Sequence, residues 1–155
     1  MRIRDYRDDD LPAVLALNLH ATDPSADVRD SARFNPDLLK IPDVYQRGGC
    51  FLVGEVSGEL MAMAGLEPQP DGVFILTRVR VAIPHQRKGH GLALVRECER
   101  RAAGLGGREI ILDTTERQVP AQKLYVEAGF SETHRSVLKN EFGEFKLVHY
   151  RKALR

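Results

Sequence analysis

No stretch of the 155-residue chain approaches the roughly 20 consecutive apolar residues that a membrane-spanning helix needs, so no membrane partner is expected. Cysteine is scarce. Cys50 and Cys98 stand far apart, without a CxxC pair or a Cys/His cluster. The spacing of a zinc site is therefore missing and no metal is expected; two free thiols in a reducing compartment is the default state. An excess of either charge is missing too. The 23 basic and 22 acidic side chains leave a net charge of +1, which removes any global reason to expect nucleic acid as a partner. Phosphate binding, if present, has to be local. The first residues, "MRIRDYRDDD", are too polar for a secretory signal, so a cytoplasmic location is expected. No internal repeat is found. What remains, 43% hydrophobic and 29% charged, suits a single globular domain over residues 1–155.

The hydrophobic pattern implies seven strands and four helices. "RIRDY" reads as a short strand. Asp10 and Pro12 then signal a helix start, with Leu11, Val14, Leu15 and Leu19 on one face. A second helix is expected from Asn35, kinked at Pro42 and ended by Gly48 and Gly49. "CFLVGEV" and "ELMAMAGLE", joined by Ser57-Gly58, form a β-hairpin pattern. "VFILTRVRVAI" is a long strand, followed by a helix to about Ala103 whose inner face is Leu94, Val95, Cys98 and Ala102. "REIILDTT", a helix over Gln118–Ala128 and two final strands complete the order. The expected class is α/β (α+β): a mixed, strongly twisted sheet of about seven strands with about four helices on both faces.

One stretch carries chemistry. "QRKGHGLALV" packs two basic residues, two glycines and a histidine ahead of a helix. A helix N-terminus offers unpaired N–H groups and partial positive charge, which attract phosphate. Gly89 and Gly91 let a ligand approach the backbone, and Arg87 and Lys88 add charge. A diphosphate is the implied ligand. Neither GxGxxG nor GxxxxGK[ST] is present, and on spacing alone an ordinary strand-to-helix turn fits as well.

Together with "QKLYVEAGF" some thirty residues later, "VRVAIPHQRKGHGLALV" resembles the GNAT superfamily of N-acetyltransferases. Gln86, Arg87, Lys88, Gly89, His90 and Gly91 match that family's coenzyme A loop. Leu124, Tyr125, Gly129 and Phe130 match its "LYxxxGF" signature. The resemblance implies a splayed central sheet and acetyl-coenzyme A as co-substrate. It implies that backbone groups at Val79, Arg80 and Val81 pair with the pantetheine arm, and that the 86–91 loop holds the pyrophosphate. Two positions depart from the pattern. Proline falls at 84 rather than at 83, and Gln118 stands where many members have asparagine, keeping an amide on a longer arm.

Acetyl transfer needs a neutral amine, yet with a lysine-like pKa near 10.4 only about 0.1% or less is neutral at pH 7. A base must collect the proton, and the carbonyl oxygen wants a donor, which a backbone N–H near Val81 could supply. Tyr125 is the candidate acid for the leaving thiolate; without the motif it reads as an amphipathic helix residue. Asp113 is the candidate base, Glu67 the alternative, and a water chain a third course. The acceptor, a small-molecule or peptide amine, is expected between the 21–35 loop, the segment from Phe34 to Tyr45 and the "VLKNEFGEF" loop. Two competing readings stand beside this one: a non-catalytic acyl-coenzyme A-binding module, and a dinucleotide oxidoreductase. A homodimer is left open.

Overall fold

The computed structural model describes residues 1–21, 35–141 and 143–155. A seven-stranded mixed sheet runs in the order β1-β2-β3-β4-β5-β7-β6. β1 (Arg2–Asp5), β2 (Cys50–Val56), β3 (Glu59–Pro68) and β4 (Val73–Val81) pair antiparallel in sequence order. β5 (Glu109–Thr115) joins β4 in parallel. β7 (Gly143–Ala153) lies between β5 and the edge strand β6 (Ser131–Asn140). Four helices stand among the described residues: α1 (Leu11–His20), α2 (Ile41–Val44), α3 (His90–Gly104) and α4 (Val119–Glu127).

Alternation along β2 divides the core in two. Cys50 and Leu52 pack with Leu94, Val95, Cys98 and Ala102 of α3. Phe51 and Val53 pack on the opposite face with Val14 and Leu17 of α1 and with Ile41. Helices therefore cover both faces. The four positions assigned by periodicity to the inner face of α3 are all buried. The two cysteines, remote in sequence, are both buried and belong to the same core layer. On the second face Phe51 meets Tyr6 at 5.7 Å and Tyr45 at 5.1 Å between ring centroids, contacts that add about 0.5–1.5 kcal/mol beyond area burial.

Local signals held where backbone chemistry is decisive. Ser57 (φ 52°) and Gly58 (φ 80°) both adopt left-handed backbone, the geometry that matches the twist of a two-residue hairpin, and Val56 pairs with Glu59 across it. The helix expected from Asn35 is different. A 3-10 turn over Pro36–Lys40 is followed by the single turn α2. The break falls at Lys40 (φ −132°), so that Pro42 sits in the first turn of α2, where a missing N–H costs nothing. The "VLKNEFGEF" segment is also not a loop: most of it belongs to the tips of β6 and β7, paired from Val137–Lys146 to Asn140–Gly143.

Candidate active site

The site begins as a defect in β4. Met63 pairs with Arg80 and Gly65 with Thr77, so Arg78 and Val79 together oppose the single residue Ala64. This is a β-bulge, and Arg78 holds a left-handed φ of 58° at its centre. Such a conformation costs a non-glycine residue on the order of 1 kcal/mol and re-aims the side chains that follow. Before the bulge is reached, β4 has already parted from β5. Their pairing ends at Ile75–Ile111, while β4 continues beside β3 to Val81 and β5 continues beside β7 to Thr115. The splay leaves a cleft of about 640 Å³.

The edge of β4 that faces the cleft carries unpaired ladder groups. Ala82 N–H donates to the Met61 carbonyl at 2.8 Å, so alternation turns the Arg80 ladder groups toward β3 and those of Val79 and Val81 toward the gap. Within the gap these carbonyls meet only side chains. Arg80 Nη1 donates to Val79 O at 3.0 Å, and Gln86 Nε2 donates to Val81 O at 2.9 Å. Val79 and Val81 are two of the three residues assigned from sequence to an extended ligand; the backbone of the third, Arg80, is instead turned toward β3, because ladder groups alternate along a strand.

A 3-10 turn over Ile83–His85 carries Pro84 and leads from β4 into the glycine loop. Gln86, Arg87, Lys88 and Gly89 are exposed, and His90 opens α3 half-buried. Arg87 (φ 63°) and Gly89 (φ 85°) both take left-handed backbone, and a Cβ at Gly89 would meet no atom within 4 Å. The helix's first bond runs from Ala93 N–H to the Gly89 carbonyl at 3.1 Å, so earlier N–H groups lack a partner inside the helix. The His90 ring is held below its ordinary pKa by partial burial first and then by nearby positive charge that includes Lys88. Gly91 differs from expectation. Its Cβ would stand 3.2 Å from Leu124 Cδ2, so the absent side chain admits α4 rather than a ligand.

The far wall of the cleft comes from β5 and α4. Tyr125 is 7% exposed and lines the cleft, with its ring 5.9 Å from Phe130 and 6.1 Å from Tyr150. Burial pushes its phenol pKa up to about 12. Gln118 precedes α4 and also lines the cleft. Its amide oxygen accepts from the Thr114 hydroxyl at 2.5 Å, which commits the oxygen and leaves the –NH₂ as the available end. Asp113, exposed on β5, borders the same space. Glu67 does not. It is half-buried on β3 opposite Ile75, and its charge acts on Tyr45.

Sequence reading missed the acceptor-side network. Arg78, re-aimed by the bulge, donates from Nη2 to Asp37 Oδ1 at 2.7 Å and from Nε to Asp37 Oδ2 at 3.1 Å. Tyr45 Oη donates to Asp37 Oδ2 at 2.5 Å. Burial would raise the Asp37 carboxyl, but these bonds outweigh it and hold it below the usual range. Of the expected wall from Phe34 to Tyr45, Asp37 thus meets the cleft through Arg78, whereas among the described residues the tips of β6 and β7 do not line it. Of the expected 21–35 wall, Ala21 lines the cleft and residues 22–34 lie outside the described residues. A depression of similar volume, about 650 Å³, lies beside Arg96, Glu99 and Lys152, but of the motif residues only Gly129 lines it, and Lys152 is already paired with Glu99.

Known proteins are similar to this chain in sequence and in fold. The profile of the "Acetyltransferase (GNAT) family" matches residues 12–130. N-acetyltransferase 8 of Homo sapiens is 35% identical over 107 residues, covering 64% of this chain and 47% of that protein. The chain thus spans about half the length of the curated relatives it matches. Among solved structures, a GNAT-family acetyltransferase from Staphylococcus aureus superposes with a TM-score of 0.83 at 20% identity, covering 99% of each chain. A putative acetyltransferase from Salmonella typhimurium, solved with its cofactor acetyl-CoA, superposes with a TM-score of 0.77 at 19% identity, covering 100% of this chain and 94% of that one. The family profile runs from α1 through the bulged strand and the glycine loop to the end of "LYVEAGF", and so the chain belongs to the GNAT family of acetyltransferases.

Proposed function

We propose that this chain is an acetyl-coenzyme A-dependent N-acetyltransferase that acylates a primary amine by direct attack. The observation that carries the reading is the meeting, at one cleft, of an unpaired strand edge, a glycine loop opening a helix and a buried phenol. The donor, when bound, supplies an acetyl thioester as the group to be moved. The Val79 and Val81 edges and the Gln118 amide would hold its pantetheine arm. N–H groups from Gln86 to Gly91, with the charges of Arg87 and Lys88, would hold its pyrophosphate. The likeness to a neighbour solved with acetyl-CoA supports this assignment.

The chain's own residues then divide the work. Val81 N–H, turned into the gap, donates to the carbonyl oxygen as it gains negative charge. Tyr125 keeps its proton at neutral pH and delivers it to the leaving sulfur. Asp113 accepts the amine's proton, directly or through water. Glu67, outside the cleft lining, is the alternative with less geometric support. An amine library read by free coenzyme A release tests the proposal. Acetyl-coenzyme A-dependent release with any amine is the expected result. Tight donor binding with no release across the library would assign the chain to the non-catalytic, acyl-coenzyme A-binding class instead.

A further inference from the structure

Two arginines stand two residues apart on β4 and differ in one respect. Arg78 has a carboxylate held in its fork, that of Asp37. Arg80 has none among the described residues. Its Nε is buried without a hydrogen-bond partner, and Nη1 reaches only the backbone carbonyl of Val79 at 3.0 Å. It lines the cleft in the splay. Its ladder partner is Met63, which packs in the core layer of α1 and α2 rather than in that of α3. Asp113 belongs to the side of β5 opposite the core residues Ile110 and Leu112. Arg80 and Asp113 therefore share the side of the sheet on which the amine is expected.

A guanidinium partly withdrawn from water, with no counter-charge among the described residues, is costly, and its buried Nε without a partner calls for an explanation. Asp37 is not available to it, because Arg78 and Tyr45 already occupy that carboxylate. Burial accordingly pulls the Arg80 pKa down, with Arg78 adding to the effect. With Arg78 balanced by Asp37, Arg80 and Arg117 against Asp113 leave the described wall of the cleft with one positive charge in excess. The donor's phosphates are assigned to the 86–91 loop, so they do not balance it.

We propose that the Arg80 guanidinium binds a carboxylate of the acceptor, so that the substrate is an amino-acid-like molecule carrying its amine and its carboxylate close together. The inference rests on the acetyltransferase reading. The planar fork of Arg80 suits a carboxylate as the fork of Arg78 does. Once anchored there, the amine lies between β4 and Asp113, within reach of the cleft that Tyr125 lines. Arg80 is thus an acceptor-binding residue through its side chain alone, its backbone being turned toward β3.

The test uses three matched acceptor series: α-amino acids, the corresponding α-amino amides, and the corresponding amines lacking the group altogether. Coenzyme A release is measured for each. The amide's amine loses its proton more readily than the acid's, so intrinsic reactivity works against the expected result. The wild type should nevertheless favour the acids over the amides at least tenfold in kcat/KM, mostly through KM. Arg80→Gln should erase that preference, and Arg80→Lys should keep part of it, with donor-induced thermal shifts confirming that both variants fold. Equal use of acids and amides by the wild type overturns the inference while leaving the transferase reading intact. So does a uniform loss in Arg80→Gln across all three series, which would put the charge in the common reaction. Release from no series, with release from another amine of the library, also overturns the inference; release from no amine at all fails the transferase reading itself.

Discussion

Tyr125 must be buried enough to keep its proton and open enough to reach a ligand. Packing against Phe130 and Tyr150 does the first, and its place in the cleft wall does the second. The raised pKa sets a sign that can be checked. A phenol at its ordinary value near 10 would lose its proton progressively above about pH 9, and a catalytic acid would fail there. With the value raised to about 12, the protonated form persists through that range. The turnover rate of the wild type should therefore show no fall between about pH 8 and pH 10 that belongs to this acid. Tyr125→Phe retains the ring and removes the proton, so turnover should drop about a hundredfold while acetyl-coenzyme A affinity, measured by calorimetry, changes little. Unaltered turnover in Tyr125→Phe with a verified substrate would reduce Tyr125 to a packing residue.

At the scale of elements, the contact between α3 and α4 decides what the loop glycines do. Gly89 faces open space in a left-handed conformation and serves the loop, whereas Gly91 faces Leu124. Gly91→Val would add a branched side chain where a single Cβ already comes within 3.2 Å of Leu124 Cδ2. Overpacking of that kind costs about 1–3 kcal/mol. The melting temperature should fall by several degrees even without ligand, which differential scanning calorimetry would read; an unchanged value would mean that Leu124 moves aside freely. Sequence could not separate the two glycines, because the difference lies in α4, some thirty residues on. The same distinction sorts the rest of the fold. The Ser57-Gly58 hairpin and the inner face of α3 were legible because turn chemistry and periodicity are local. The bulge at Arg78 was not, because it is a mismatch of register between β3 and β4. Asp37 was not, because its meaning comes from Arg78, far away in the chain. The break near Pro42 was read correctly in kind and displaced in position, since a proline is tolerated in a first turn and moves the boundary ahead of itself.

At the scale of the molecule, the splay is what separates one class of ligand from another. A loop and helix N-terminus that hold a diphosphate do not by themselves distinguish coenzyme A from a nicotinamide dinucleotide. A sheet opened beyond Ile75–Ile111 does, because the edge at Val79 and Val81 offers backbone partners to the amide-bearing pantetheine arm, which the dinucleotide lacks. A ligand that binds only the folded state stabilises it by about 2.7 kcal/mol at a hundred times its dissociation constant. Acetyl-coenzyme A and coenzyme A should thus raise the melting temperature, and NAD and NADP at equal concentration should not. The shared diphosphate makes the dinucleotides a fair control for the loop alone. A variant in the strand edge cannot replace this comparison, because the groups concerned are main-chain ones and survive most substitutions. A shift with NAD and none with acetyl-coenzyme A, confirmed by calorimetry, would mean that the loop binds and the splay does not. The roles assigned to Val79, Val81 and Tyr125 would then fall together, since all three depend on a thioester lying along β4.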